Sequence, residues 1–231
     1  MKSVFVHAAG SWGGIWRKQL ERFQDAEAVT LPGHPEGKLC GSVEEYTEWL
    51  HGHIRSKGYR DVVLVGHSLG GAIAILYALK YPADLRALVL VGTGARLKVL
   101  PAVLTELEEA VKGDTDGWLK RMKARYGKLP PEEAEPIIEK QLKMGGQVPL
   151  NDMLCCDSFD VMDRLHLIKL PTLIICGDED VMTPVKYADF LAGRIAGAKK
   201  VVIPGGTHFV FLEKPQEFNR ALDEFIKSLP E

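Results

Sequence analysis

The chain has 231 residues, of which 46% are hydrophobic and 26% are charged, so its size and composition fit one globular domain. Its formal net charge of −2 gives no bulk attraction to nucleic acid or to an anionic membrane, and we expect neither as a partner. No apolar run is long enough to span a bilayer, and the opening residues, MKSVFVHAAG, lack the apolar segment of a signal peptide, so we expect a cytoplasmic protein.

In chain order, short β-rich runs alternate with longer helical patterns. The β-rich runs cover residues 3–8, 27–31, 62–66, 87–92, 172–177 and 199–205, and helical patterns cover 14–24, 42–57, 69–80, 184–194 and 215–228. Several β-rich runs are continuously apolar, as strands that are covered on both faces must be. The alternation predicts an α/β fold, with a mostly parallel sheet of about six strands and helices on both faces.

The alternation breaks between residues 95 and 166. Helical patterns at 97–112, 116–126 and 131–144 occupy this stretch, and no strand pattern interrupts them. Because the stretch follows a strand end, where ligands bind in parallel sheets, we predict that residues 96–165 form an inserted helical cap. Residues 1–95 and 166–231 would form the core of a single domain. A plain surface excursion is the alternative to a cap.

The four cysteines show neither C-x-x-C spacing nor a disulfide-dense pattern. Cys155 and Cys156 are adjacent, Cys176 ends an apolar run, and Cys40 lies near glycine and lysine. We interpret them as free thiols, with a cysteine nucleophile as the alternative.

One short segment, Gly66-His67-Ser68-Leu69-Gly70, joins an apolar strand pattern to a helical pattern. A serine between two glycines at a strand-to-helix bend is typical of a nucleophile elbow. The tight turn predicts a positive φ at Ser68 and places the Leu69 N–H at a helix N-terminus, where it can stabilise developing negative charge. A glycine-rich phosphate loop is the alternative, but neither a following lysine nor G-x-G-x-x-G spacing is present.

A serine nucleophile needs a base, and the base needs an orienting carboxylate. Two histidines follow the elbow, and His208 is favoured over His166 because it comes after a strand pattern and glycines. The carboxylate lies in the segment TLIICGDEDVMTP, where spacing alone does not choose among Asp178, Glu179 and Asp180.

Four separated motifs resemble those of the α/β-hydrolase superfamily, in its compact, capped, esterase-like branch. They are GHSLGG, LPGHPEG, PTLIICGDEDVMTP and GGTHFVFLEKPQEFN, and the resemblance covers nearly the whole chain outside the insertion. It implies that the catalytic residues are Ser68, Asp180 and His208, and that the first two antiparallel strands of larger members are lacking. Pro35 stands where the family usually has glycine.

The resemblance also implies an oxyanion hole made by the backbone N–H groups of Ala9 and Leu69. Ala8 replaces the glycine that relatives carry in the loop after the first strand. We expect His7 to support this loop. The residues predicted for the substrate pocket are His7, His67, Thr93 and Phe209, although His67 could instead only pack.

The predicted function is hydrolysis of carboxylic esters with small apolar groups through an acyl-enzyme, without a metal or other cofactor. Dehalogenases and epoxide hydrolases of the superfamily carry Asp at the elbow, where this chain has Ser68. A lactonase, a thioesterase, an acyl-carrier-protein methyl esterase and a carbon–carbon bond hydrolase would use the same triad, and a perhydrolase side activity is possible. A non-catalytic ligand receptor is the alternative from another class. The sequence does not indicate an oligomeric state.

Overall fold

The computed structural model describes residues 1–230 and has one sheet of six strands, all parallel, in the order β2-β1-β3-β4-β5-β6. The α/β prediction is therefore confirmed. The strands are β1 (Ser3–Val6), β2 (Ala26–Val29), β3 (Val62–His67), β4 (Leu85–Val91), β5 (Thr172–Gly177) and β6 (Lys199–Ile203).

The continuous apolar runs are explained by burial. Every residue of β1, β3 and β5 is buried, whereas β2 and β6, at the two edges of the sheet, are partly exposed. Helices cover both faces, with α2 (Val43–Ser56) packed on α3 (Leu69–Lys80), and α1 (Arg17–Leu20) packed on α10 (Pro215–Lys227). Strands of this kind must be apolar on both sides.

The strand register brings the carboxyl ends together at one edge of the sheet. Gly66 of β3 pairs with Val6 of β1, and the next residue, His67, pairs with Val91 of β4. Gly177 of β5 pairs with Ile203 of β6. The loops that leave these strands are therefore neighbours, which is the arrangement that positions the candidate site.

Four helices lie between β4 and β5 and account for the insertion: α4 (Pro101–Val111), α5 (Asp116–Arg125), α6 (Pro131–Met144) and α7 (Gln147–Ser158). An antiparallel bridge between Arg96 and Asp160 joins the two ends of the insertion. The remaining helices are α8 (Val185–Arg194) and α9 (Val210–Glu213). No helix among residues 1–230 is long and apolar enough to cross a membrane.

Some element bounds differ from the predicted ones. The pattern at 14–24 forms a 3₁₀ turn (Gly13–Trp16) followed by the single-turn helix α1, so the predicted helix is too long. The helix predicted at 97–112 begins later because Pro101 occupies its first turn, where proline is favoured. The sequence pattern did not predict α7 as a helix, because its buried and exposed residues do not form one clear apolar stripe.

Candidate active site

Ser68 occupies the sharp bend between β3 and α3, with φ 54° and ψ −114°. Its N–H donates to the Val91 carbonyl at 3.0 Å, and Thr93 Oγ1 donates to its carbonyl at 2.8 Å. The bend requires small neighbours, because a Cβ at Gly66 would lie 2.1 Å from the Gly70 carbonyl oxygen. The conformation expected of a nucleophile elbow is therefore present, held by the neighbouring strand β4.

His208 and Asp180 form a buried pair at the same edge of the sheet. His208 Nδ1 lies 2.8 Å from Asp180 Oδ2, and because a carboxylate only accepts, the imidazole donates. Asp180 Oδ1 accepts from the N–H groups of Met182 and Thr183 at 2.8 and 2.9 Å. Thr183 Oγ1 donates to Asp180 Oδ2 at 2.8 Å. The carboxylate is thus fixed by four donors.

Electrostatics keep this carboxylate ionised. Burial by itself raises the pKa of Asp180, but the charge of His208 and the hydrogen bonds from His208 and Thr183 outweigh it, so the pKa lies well below its usual value. An ionised Asp180 holds the proton on His208 Nδ1 and leaves Nε2 as the basic nitrogen. Nε2 is buried and has no hydrogen-bond partner within residues 1–230.

A cavity of about 60 Å³ joins the serine to the histidine. Ser68 and His208 both line it, and the insertion contributes Met153 and Cys156 from α7. The remaining lining residues are Leu97, Lys98, Val99, Met182, Thr183 and Tyr187. The wall of the cavity is therefore largely apolar, and it lies next to a serine and to an imidazole nitrogen that has no partner within residues 1–230.

His67, the residue before the serine, is fully buried and does not line this cavity. Its Nε2–H donates to the His208 carbonyl at 2.9 Å, and its ring lies edge-on to Phe209 and Phe211 at 5.0 and 4.9 Å. Burial first, and the nearby His208 second, lower the pKa of His67 well below its usual value. His67 therefore stays neutral and holds the backbone of His208.

The loop after β1 lies beside the elbow, since a Cβ at Gly70 would approach the Val6 carbonyl oxygen to 2.4 Å. Within this loop, His7 Nδ1 donates to the Ala8 carbonyl at 2.8 Å, and His7 Nε2 accepts from the Leu31 N–H at 3.0 Å. His7 is fully buried, and burial lowers its pKa to about 3. A neutral His7 thus supports the loop that carries the Ala9 amide.

The other two predicted pocket residues also lie behind the site. Thr93 contacts the elbow through its bond to the Ser68 carbonyl, and Phe209 is 2% exposed and packs against Tyr126 at 4.7 Å. None of the four residues predicted for the pocket lines this cavity, and all four are buried. This placement corrects the expected lining.

Sequence reasoning missed two residues that hold the site. Thr183 follows Asp180 by three positions, and this short spacing is a signal that a hydroxyl could bond the carboxylate. Asp152, in α7, accepts from the Gly10 N–H at 2.8 Å, 142 positions away in the chain. No local sequence pattern predicts a contact between residues that are 142 positions apart.

The described residues favour neither a cysteine nucleophile nor a group of metal ligands. Cys156 lines the cavity, but burial raises the pKa of its thiol well above the usual value, which disfavours the thiolate. His51 and His53 contact different carboxylates, those of Asp84 and Glu27, so they do not share a ligand site. Among residues 1–230, no three His, Cys, Asp or Glu side chains are grouped as metal ligands.

Residues 4–221 match the family model described as "Alpha/beta hydrolase family". The chain belongs to the alpha/beta hydrolase family. A pimeloyl-[acyl-carrier protein] methyl ester esterase from Aeromonas hydrophila subsp. hydrophila is 25% identical over 240 residues, which cover 96% of this chain and 94% of that protein. The family prediction made from the four motifs is confirmed.

Two solved structures of esterases are also similar to this alpha/beta hydrolase. One is a thermophilic esterase, 36% identical, with a TM-score of 0.86 over 99% of this chain and 90% of the other. The second, from Thermogutta terrifontis with bound malate, is 25% identical, with a TM-score of 0.88 over 99% and 90% of the two chains. These relatives confirm the prediction of a carboxylesterase-like hydrolase.

Proposed function

We propose that this hydrolase cleaves carboxylic esters of small apolar acids or alcohols, with Ser68 as nucleophile, His208 as base and Asp180 as the orienting acid. The single observation that carries the proposal is the state of His208. Its Nδ1 is bonded to Asp180 at 2.8 Å, while its Nε2 has no partner within residues 1–230, and both His208 and Ser68 line one cavity.

In the proposed reaction, Ser68 Oγ forms a bond to the ester carbonyl carbon as its proton passes to His208 Nε2. The negative charge on the carbonyl oxygen is stabilised by the N–H groups of Leu69 and Ala9. Leu69 is the first residue of α3, so its N–H has no partner inside the helix. Removing one such donor typically costs about 3 kcal/mol of transition-state stabilisation.

Collapse of this intermediate breaks the bond to the alcohol oxygen, which takes the proton from His208. Water then attacks the acyl-serine, with His208 again accepting and returning a proton, and the acid leaves. Asp180 remains ionised throughout, in keeping with its lowered pKa, and stabilises the imidazolium that forms twice in the cycle.

We propose that the insertion acts as a cap that selects substrates. Met153 and Cys156 of α7 line the same cavity as Ser68, and its volume of about 60 Å³ favours a short acyl chain. Of the apolar insertion residues, Trp118 and Met122 are buried in the core, whereas Leu100 and Leu154 are exposed. The small size of the cavity therefore depends mainly on α7 and on the segment that enters the insertion.

The test is hydrolysis of p-nitrophenyl esters of increasing acyl length by the wild type and by Ser68→Ala. We expect the variant to lose activity by about 10⁴-fold or more while keeping its fold, because no other group replaces the nucleophile. Ser56→Ala, at an exposed position at the end of α2, serves as a matched control and should hydrolyse like the wild type. Undiminished hydrolysis by Ser68→Ala refutes the assignment.

The same assay, extended to lactones and thioesters, separates esterase from the alternative activities of the triad. Ester hydrolysis should be the fastest, with acetyl to butyryl chains preferred over longer ones. Turnover that stops after one equivalent of product per protein would instead support a ligand receptor, since a receptor needs no deacylation.

A further inference from the structure

Gly10, which follows the proposed oxyanion donor Ala9, is held by two helices of the insertion. Its N–H donates to Asp152 Oδ2 of α7 at 2.8 Å, and its carbonyl accepts from Gln141 Nε2 of α6 at 2.8 Å. Gly10 has φ +59°, and a Cβ there would lie 2.8 Å from Pro149 Cβ of α7. Glycine is therefore required for the insertion to approach the loop this closely.

Asp152 is fully buried, and the hydrogen bonds of its side chain all come from residues outside the insertion. Oδ2 accepts from His34 Nε2 at 2.7 Å in addition to the Gly10 N–H, and Oδ1 accepts from Tyr46 Oη at 2.9 Å. A buried carboxylate is tolerated when it is paired and hydrogen-bonded in this way. The side chain joins α7 to the loops after β1 and β2 and to α2.

The contacts of His34 define its charge. Its Nε2 faces the Asp152 carboxylate, and its Nδ1 faces the carbonyl oxygens of Leu31 and Pro32 at 3.2 and 3.1 Å. Carbonyl oxygens and an ionised carboxylate only accept, so these contacts favour a proton on both nitrogens, and we infer that His34 is an imidazolium paired with Asp152. Burial lowers the pKa of His34, but the hydrogen bond and charge of Asp152 raise it more, and the net shift is upward.

The ring of His34 lies 4.9 Å from that of His7, which is neutral. The titratable side chains that face His34 are His7 from the loop after β1, Tyr46 from α2 and Asp152 from α7. His7 must keep an unprotonated Nε2 to accept from the Leu31 N–H, so it cannot share the proton of His34. The positive charge is thus confined to the ring that contacts Asp152.

We propose that Asp152 is a positioning residue for the oxyanion hole, because it holds the Ala9–Gly10 peptide through the Gly10 N–H while His34 fixes the carboxylate. His7 holds the preceding peptide through the Ala8 carbonyl, so both peptides that flank Ala9 are fixed. The hole is therefore completed by the insertion, and any movement of α7 away from the core releases it. This inference rests on the proposed function, in which Ala9 is an oxyanion donor.

The test uses Asp152→Asn, which keeps the size of the side chain. The amide carries no charge and has one accepting oxygen, so it holds the Gly10 N–H and the His34 Nε2–H less strongly than the carboxylate does. For a short p-nitrophenyl ester we expect kcat to fall about 10- to 100-fold, with KM changed by less than about twofold. Asp163→Asn is the matched control, because Asp163 is exposed and should leave both constants unchanged.

A pair of ketone inhibitors separates the oxyanion hole from general loosening of the site. A trifluoromethyl ketone forms a bond from Ser68 Oγ to its carbonyl carbon, with the serine proton passing to His208 and an oxyanion remaining, whereas the matching methyl ketone binds without reacting. In Asp152→Asn, the Ki of the trifluoromethyl ketone should rise by the factor by which kcat/KM falls. The Ki of the methyl ketone should not change, and an equal rise of both would overturn the proposal.

The charge state of His34 is measured by ¹⁵N-edited NMR of the histidine rings at pH 7. We expect both nitrogens of His34 to be protonated in the wild type and one to lose its proton in Asp152→Asn. If that variant does not fold, His34→Gln, with the exposed His166→Gln as its control, takes its place in the ketone assay.

The proposal is overturned if His34 is neutral in the wild type. It is also overturned if the folded variant keeps the kcat of the wild type and the same ratio of the two ketone Ki values. The outcome is distinguishable from failure of the proposed function. If Ser68→Ala retains full hydrolysis, the esterase assignment fails, whatever the state of His34. If Ser68→Ala is inactive while the folded Asp152→Asn behaves like the wild type, only the present proposal fails.

Discussion

Two buried histidine–aspartate pairs differ in the freedom of the second ring nitrogen. In the His208–Asp180 pair, at 2.8 Å, Nε2 has no partner within residues 1–230, and the ring lines a cavity with Ser68. In the His34–Asp152 pair, at 2.7 Å, the second nitrogen faces two carbonyl oxygens. Distance and burial are nearly the same. A histidine–carboxylate pair is therefore suited to catalysis only where the remaining nitrogen keeps its lone pair and meets a cavity.

The two pairs also belong to different parts of the chain. Asp180 and His208 are 28 positions apart and both follow strands of the sheet, so the core alone positions them. His34 and Asp152 are 118 positions apart and join the core to the insertion. The first pair is expected to act on the reacting atoms, and the second to hold the loop that stabilises them.

The largest expected difference comes from the same substitution made in each pair. Asp180→Asn should lower kcat by about 10⁴-fold, because an amide does not fix the tautomer in which His208 Nε2 is basic. The loss should exceed that of Asp152→Asn by about 100-fold or more, as measured with one p-nitrophenyl ester. Glu179→Gln is the control, since its side chain is 57% exposed and pairs with Lys128. Comparable losses at positions 152 and 180 would remove the distinction between the pairs.

The pairs should respond to pH in opposite directions. The folded pKa of Asp180 lies below its ordinary value of 3.8, so the stability that it contributes is present above about pH 4 and is lost as pH falls through the folded pKa. The folded pKa of His34 lies above 6.5, so its contribution is complete below pH 6.5 and is lost as pH rises through the raised value.

Thermal unfolding between pH 3 and pH 10 measures both contributions. Each kcal/mol lost should lower Tm by roughly 2–4 °C for a chain of this size. Asp180→Asn should reduce the fall in Tm at the acid end only, and His34→Gln should reduce it at the alkaline end only. The same pH profile for His34→Gln and the wild type would show that His34 is not an imidazolium in the folded protein.

The smallest expected effect is at Thr183, which supports Asp180 from one side. Thr183→Val keeps the shape of the side chain and removes the hydroxyl that donates to Asp180 Oδ2 at 2.8 Å. Loss of one hydrogen bond worth about 1 kcal/mol should lower kcat roughly fivefold, since the backbone N–H groups of residues 182 and 183 still hold the carboxylate. A loss as large as that of Asp180→Asn would mean that the hydroxyl itself orients His208.

The sequence predicted many of the structural elements around the first pair, His208–Asp180. Continuous apolar runs predicted the buried parallel strands, and the glycines on either side of Ser68 predicted the bend that the structure has. The choice of Asp180 among three neighbouring carboxylates came from the family resemblance, since all three follow the same strand. The structure places Asp180, 4% exposed, against His208, whereas Glu179 is exposed and Asp178 contacts the Gly205 N–H.

The sequence did not predict the second pair, His34–Asp152. His34 lies in the motif LPGHPEG, whose spacing indicates no partner elsewhere in the chain, and Asp152 lies in a helix that the apolar pattern did not predict. Local spacing in the sequence predicts neither the charge proposed for His34 nor the role proposed for Asp152, because both depend on a contact between residues 118 positions apart.

By itself, then, the sequence determined the α/β architecture, the family and the elbow, since these follow from period, glycine placement and short motifs that act over a few residues. Only the tertiary structure decided which side chains line the cavity, which are buried outside it, and how the insertion contacts the loop after β1. The reason is physical: burial and hydrogen-bond saturation depend on which distant segments pack together, and they set both the charge of each histidine and the freedom of its nitrogens.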